Sequence, residues 1–91
     1  MRLDKFLKYS GIVKRRTLAQ KLCDAGLCSL NGRVAKPAAQ VHVGDIIRLQ
    51  VGVQCHEYQV LELMDREVPR DQRERFRRLL SSERLDPRRE L

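Results

Sequence analysis

The pattern of apolar and polar residues at the start of the chain predicts a short helix. In the segment RLDKFLKYSG, Leu3, Phe6 and Leu7 recur at positions i, i+3 and i+4, which is the spacing of one helix face. The cations of this segment fall near one another on a different face, and they are Arg2, Lys5 and Lys8. The Ser-Gly pair at positions 10 and 11 ends the helix.

A second amphipathic helix is predicted to begin around Arg15 to Thr17 and to end at Gly26, a residue suited to the left-handed conformation of a helix end. Its apolar positions are Leu18, Ala19, Leu22, Cys23 and Ala25. The cations Lys14, Arg15 and Arg16 stand where this helix begins. Unpaired backbone N–H groups and the positive end of the helix dipole attract phosphate at such a position. The corner between the two helices is therefore a candidate site for a polyanion.

The middle of the chain predicts short strands joined by turns. The Asn-Gly pair at positions 31 and 32 is a strong hairpin signal, with very short strands over residues 27–30 and 33–35. The Gly-Asp pair at positions 44 and 45 marks another turn. It leads into IIRLQV, where Ile47, Leu49 and Val51 share one face of a half-buried strand over residues 46–51. Residues 55–64 alternate more weakly, which leaves the inward face of that strand open.

The composition changes after Met64, where positive and negative charges mix along the sequence. Phe76, Leu79 and Leu80 have helical spacing, and Pro69 and Pro87 are breakers, so we predict a helix over residues 71–82 with a frayed end. The predicted organisation is a domain over residues 1–64 and a charged C-terminal helical tail over residues 65–91. The predicted fold class is α+β, with two short helices packed on a small, mostly antiparallel sheet.

Charge is concentrated in the first third of the 91 residues. The chain carries a net charge of +7, and residues 1–36 hold nine cations against two anions, Asp4 and Asp24. Residues 65–91 hold nine cations against seven anions, which suits an exposed, salt-bridged helix about as well as an RNA-binding tail. A net positive charge of this size favours nucleic acid or an anionic membrane surface as the partner. The cations that bind an anionic partner are expected in the first 36 residues.

Several classes of function are disfavoured by what the sequence contains. Two Phe, two Tyr and no Trp argue against a surface on which single-stranded bases stack, so recognition of the backbone and shape of a nucleic acid fits better. The three Cys lack zinc-ligand spacing and are interpreted as reduced thiols, with Cys23 and Cys28 in the core. His42 and His56 neighbour no nucleophile motif. Neither a membrane-spanning run nor a signal peptide is expected.

The order of these features resembles the S4 RNA-binding domain family. Two short helices, the second opened by an Arg-Thr pair, precede AGLCSLNGRVAKPAAQVHVGDIIRL, where the family has a hairpin with a VNG turn and then V..GD.I.V. The resemblance covers about residues 1–51. Within the family, RLDKFLK, KRRTLA and the short chain are most similar to the small bacterial S4 proteins of ribosome-associated quality control, which are kin of the heat-shock S4 proteins.

The resemblance implies an S4-like (alpha-L) fold with an RNA-facing surface. By position, Arg2, Lys5, Arg16 and Thr17 fall on that surface, and Lys14, Arg15, Gln20 and Lys36 are carried over as further contacts. Lys8 joins them from the basic face of the first helix. The candidate RNA-binding residues are Arg2, Lys5, Lys8, Lys14, Arg15, Arg16, Thr17, Gln20 and Lys36. A structural role for Arg16, pairing with Asp4 or Asp24 inside the fold, stays open at this point.

The resemblance also implies the partners. They are rRNA of the stalled large ribosomal subunit, peptidyl-tRNA and a quality-control factor that recruits alanyl-tRNA, and the role is to support alanine tailing of nascent chains. The protein is expected to be a cytoplasmic monomer that binds without catalysis, with no cofactor, no metal and no membrane partner.

Three alternatives remain. The first is a heat-shock S4 factor that rescues or recycles stalled large subunits, and the second is a helix-turn-helix DNA-binding regulator. The charge at the start of the second helix, with few base-reading side chains along it, argues against the regulator. The third is an RNA-modifying enzyme, in which an S4 module would be appended to a catalytic domain that this sequence does not show.

Overall fold

Two short helices open the chain in the computed structural model, which describes residues 1–85. α1 spans Leu3–Tyr9 and α2 spans Arg16–Asp24, so both predicted helices are confirmed. Within α2, Ala19, Leu22 and Cys23 are buried. Leu18 and Ala25 are exposed, because the buried stripe of this short helix is narrower than its apolar spacing indicated. No helix within residues 1–85 has the length and apolar character needed to cross a membrane.

The strands form one antiparallel sheet with the order β2-β1-β3-β4-β5. Their bounds are β1 Cys28–Leu30, β2 Arg33–Val34, β3 Ile46–Val51, β4 Gln54–Val60 and β5 Arg77–Arg84. The hairpin between β1 and β2 turns at Asn31 and Gly32, both with positive φ (53° and 84°), as a tight Asn-Gly turn requires. The Asn31 amide donates to Asp45 Oδ1 at 3.0 Å, so the two predicted turns hold each other in place.

The core lies between the helices and one face of the sheet. Ile47 and Leu49 of β3 pack in a single buried cluster with residues of both helices, as the alternation in this strand predicted. Directly opposite them on β4 lie Tyr58 and His56, and residues opposite each other in an antiparallel pair share a face. The sequence left open which face of β4 points to the core, and in the structure it is the face that carries His56, Tyr58 and the buried Val60. Val51, predicted to face inward, is 43% exposed at the end of β3.

The predicted C-terminal helix over residues 71–82 is wrong. Residues Arg70–Arg75 form a short 3₁₀ helix, and Arg77–Arg84 form β5, which pairs with β4 along its length. Leu79 and Leu80 are about half exposed, so their helical spacing does not reflect a buried helix face. The strand forms because β4 offers an open edge, a partner that local spacing cannot reveal. The domain boundary at residue 64 stays a prediction, and Pro87 lies outside the described residues.

Candidate nucleic-acid interface

A buried carboxylate joins the two helices at the centre of the predicted RNA-facing surface. Asp4, in the first turn of α1, has a side chain that is 0% exposed. Arg16 and Gln20 of α2 donate to its Oδ2 at 3.1 and 2.9 Å. Arg2 donates through Nε to Oδ1 at 3.1 Å and through Nη2 to Oδ2 at 3.2 Å. The backbone N–H of Lys5 completes the set at 2.8 Å. We call these residues (Arg2, Asp4, Arg16 and Gln20) the Asp4 cluster.

The Asp4 cluster keeps the carboxylate charged. Burial by itself raises the pKa of Asp4, because a charged group loses solvation. The hydrogen bonds from Gln20, Arg2, Arg16 and the Lys5 backbone outweigh that effect and lower the pKa to about 2. Asp4 therefore remains an anion at neutral pH and fixes the two guanidinium groups beside it.

The same contacts leave part of each arginine open to solvent. The side chains of Arg2 and Arg16 are 44% and 39% exposed. Arg16 uses only Nε to reach Asp4, and its two Nη atoms find no protein acceptor within residues 1–85. A guanidinium held in this way keeps a planar pair of donors that matches a phosphate. Of the two internal partners considered for Arg16, the structure selects Asp4.

The start of α2 lies next to the Asp4 cluster and carries further cations. Lys14 and Arg15 are exposed and make no ion pair within the described part of the chain, and Thr17 is exposed in the first turn. Arg15 is the N-cap residue, and no side chain caps the free backbone N–H groups of that turn. These donors and the helix dipole add to the positive potential at the same corner.

The loop after β2 brings Lys36 to this region. The backbone N–H of Asp4 donates to the Pro37 carbonyl at 3.1 Å, and that of Leu3 donates to the Ala39 carbonyl at 2.8 Å. Lys36, which is exposed, therefore sits beside the beginning of α1, although it lies far from α1 in the sequence.

Lys8 and Gln20 differ from the other candidates. The Lys8 ammonium contacts Glu67 at 2.6 Å at the far end of α1, and this ion pair lowers the pKa of Glu67. The Gln20 amide is used inside the Asp4 cluster. Seven of the nine candidates lie in or next to the first turns of α1 and α2, while the Lys8 ammonium pairs with Glu67 and the Gln20 amide positions Asp4. The seven are Arg2, Lys5, Lys14, Arg15, Arg16, Thr17 and Lys36.

The residue that sequence reasoning undervalued is Asp4. It is one of only two anions within the first 36 residues, and it stands at a helical position amid cations. The sequence shows an anion among cations at this position. It does not show that the carboxylate is buried, because burial depends on how α1 and α2 cross.

Comparisons with known proteins show the family of this chain. The family model of the S4 domain matches residues 1–47. The chain is 45% identical over 71 residues to the "RQC P-site tRNA stabilizing factor" of Helicobacter pylori (strain J99), covering 77% of this chain and 84% of the relative. It is 48% identical over 65 residues to the protein of that name from Bacillus subtilis (strain 168), covering 71% and 76%.

Comparison with a solved structure supports the predicted fold. The trimeric structure of Vibrio cholerae Heat Shock Protein 15 superposes with a TM-score of 0.82 at 27% identity, covering 89% of this chain and 82% of that chain. Two helices on a small antiparallel sheet, predicted as S4-like, are thereby confirmed.

Proposed function

The chain belongs to the S4 domain family, and from this premise we propose that it is an RNA-binding factor of ribosome-associated quality control. It binds without catalysis and works in the cytoplasm, where ribosomes are. The relatives named as P-site tRNA stabilizing factors support this role. The observation that carries the proposal is the Asp4 cluster, since it fixes two half-exposed guanidinium groups beside an uncapped, basic helix start.

The proposed mechanism is electrostatic docking onto a structured RNA junction. Arg16, Arg2 and the first turn of α2 contact phosphates, and the hairpin between β1 and β2 fixes the orientation of the helices. Phosphate contacts of this kind give position and affinity without reading bases. Because the guanidinium groups are already held by Asp4, little side-chain freedom is lost when they meet a phosphate.

The proposed partners are the rRNA of the stalled large subunit and the peptidyl-tRNA in its P site. A small protein that contacts both polyanions stabilises the tRNA-bound state by mass action, because it binds that state more tightly than the empty one. Through this stabilisation it supports alanine tailing by a factor that recruits alanyl-tRNA. We propose that it acts as a monomer, because Arg77, Arg78 and Arg84 on β5 discourage two copies from pairing at that edge.

A salt series with large subunits tests the interface. The protein is expected to bind purified large subunits that carry P-site peptidyl-tRNA more tightly than subunits without it. The double variant Lys14→Gln/Arg15→Gln should weaken this binding and reduce the magnitude of the log K against log salt slope by roughly one to two units, because about 0.7–0.9 unit accompanies each phosphate contact. Both side chains are exposed, so the melting temperature should stay close to that of the wild type.

The matched control removes the same charge elsewhere. Lys21→Gln/Arg66→Gln changes two exposed residues away from the helix start and should leave the salt slope nearly unchanged. Equal slopes for the two double variants would contradict the proposed interface. Tighter binding to duplex DNA than to large subunits at matched salt would instead favour a DNA-binding regulator.

A second candidate is a heat-shock S4 factor that rescues or recycles stalled large subunits. The superposition on Vibrio cholerae Heat Shock Protein 15 favours it. Deleting the alanine-adding partner separates the two roles. A quality-control factor should then lose its effect on nascent-chain tailing, whereas a rescue factor should keep its effect on stalled subunits.

A further inference from the structure

The segment after β4 returns to the end of α1 and makes several contacts there. The backbone N–H of Val68 donates to the Tyr9 carbonyl at 2.9 Å, and Val68 itself is buried. Arg77 Nε donates to the Ser10 carbonyl at 3.0 Å. The guanidinium of Arg73 occupies the space that a Cβ at Gly11 would fill, and Gly11 has a φ of +79°. This segment is therefore docked on the turn that leads into the basic start of α2.

Unlike Arg66 and Arg75 of the same segment, Arg73 and Arg77 contact the turn after α1 and form no ion pair within the described residues. Arg66 contacts Asp65 at 3.5 Å, and Arg75 contacts Glu62 at 3.1 Å. Within residues 1–85 no carboxylate oxygen lies within 4.0 Å of Arg73 or Arg77. Glu67 forms its ion pair with Lys8, and the charge of Arg73 acts on Glu67 only from a longer distance. The Nε of Arg73 is buried and has no acceptor in the described part of the chain. Both side chains are partly exposed, and a cationic group that lacks an acceptor on the protein is free to bind an anion.

Arg77 is also held in a fixed plane. Its Cζ lies 5.2 Å from the centre of the Tyr58 ring, a cation–π contact on the helix side of β4. Leu79, directly opposite Tyr58 and on the same face, is 51% exposed, so the helices do not cover this half of the sheet. A guanidinium that is stacked and hydrogen-bonded through Nε keeps its outer N–H groups free to bind a phosphate.

We propose that Arg73 and Arg77 form a phosphate-binding site for RNA at the turn between α1 and α2, extending the interface beyond residues 1–47 that the S4 family model matches. The RNA backbone would then run from the start of α2 across the turn to β5. The inference rests on the proposed RNA-binding function and adds a contact surface built by the C-terminal segment.

The test compares two double variants in binding to purified large subunits that carry P-site tRNA, at three or more salt concentrations. Arg73→Gln/Arg77→Gln should weaken binding at least tenfold and reduce the magnitude of the salt slope by roughly 1.4–1.8 units, the value for two phosphate contacts. The control Arg66→Gln/Arg75→Gln removes two arginines of the same segment that already have carboxylate partners, and it should change the slope by much less.

A second measurement uses the unaltered protein, since Arg77→Gln also removes the contact with Ser10 and can disturb folding. Phenylglyoxal modification of arginines, followed by mass spectrometry, should be slowed at Arg77 by bound large subunits and unchanged at Arg66. Equal modification of Arg77 with and without subunits would overturn the proposal, as would equal slopes for the two double variants.

The outcomes also separate this inference from the proposed function. Wild-type protein that fails to bind large subunits refutes both. Binding that depends on Lys14 and Arg15 but not on Arg73 and Arg77 refutes the second site alone. A loss of affinity without a change in slope would show that the two arginines act through packing or folding and not through phosphate contacts, and it would likewise overturn the proposal.

Discussion

At the residue scale, the structure depends on one buried carboxylate. Asp4 has no exposed side-chain surface and accepts hydrogen bonds from two arginines that are themselves half exposed. Arg16 therefore has a structural role through Nε, and we propose that its Nη atoms face RNA. Arg16→Ala is expected to lower both the melting temperature and the salt slope, because the buried carboxylate also loses a charged donor. The sequence showed Arg16 as part of a basic run, but burial of Asp4 arises from the helix crossing and has no local signature.

The pKa of Asp4 gives a prediction about stability. The folded-state pKa is about 2 and the ordinary value is 3.8, so the ionised carboxylate contributes stability that is present above about pH 4 and is lost as the pH falls through 2. The contribution is about 2 kcal/mol at neutral pH. Urea denaturation of Asp4→Asn should therefore show a deficit against the wild type at pH 6 that shrinks by about this amount towards pH 2.

An exposed acid supplies the control for this measurement. Asp24→Asn alters a carboxylate at the end of α2 and should show no deficit of that size at any pH. A deficit for Asp4→Asn that stays constant from pH 6 to pH 2 would mean that the charge of Asp4 is not stabilised in the folded state.

At the element scale, the helices and strands that could be predicted from the sequence are those that local residue patterns determine. α1, α2, the hairpin at Asn31 and Gly32, and β3 follow from helical spacing, a specific turn dipeptide and strict alternation. β5 could not be found in this way, since its apolar residues have helical spacing and its stability comes from pairing with β4. A bulge between Glu57 and Tyr58 in that pairing leaves Leu80 without a direct partner and weakens the alternation further.

The contribution of β5 to stability can be measured by truncation. The buried core cluster is made of residues between Leu3 and Val60. Deleting residues 71–91 should therefore leave a protein that unfolds cooperatively, as the predicted domain over residues 1–64 requires. Its melting temperature should fall, because the edge of β4 loses its partner and Ser10 loses Arg77. Loss of a cooperative thermal transition by circular dichroism would show that the C-terminal segment is part of the folding unit.

At the scale of the whole molecule, we propose that the binding groups lie on one side, where the two helices meet. Nine of the 19 cations lie in residues 1–36, and the structure holds two of them, Arg2 and Arg16, on Asp4 where α1 and α2 meet. The C-terminal segment docks on the end of α1 and on the turn that follows it, so Arg73 and Arg77 lie beside Ser10 and Gly11 despite their distance in sequence. Membership in the S4 family could be inferred from motif order. The proposed site of Arg73 and Arg77 could not be inferred, because the position of these two residues depends on the return of the chain after β4.

The most direct test of the central claim is cryo-electron microscopy of the protein bound to a large ribosomal subunit with P-site peptidyl-tRNA. The account predicts that the corner of α1 and α2 faces RNA, with phosphate oxygens within hydrogen-bonding distance of Arg16 and Arg2 and with Asp4 still holding both side chains. A reconstruction in which this corner faces solvent or a ribosomal protein, while another surface contacts the RNA, would contradict it.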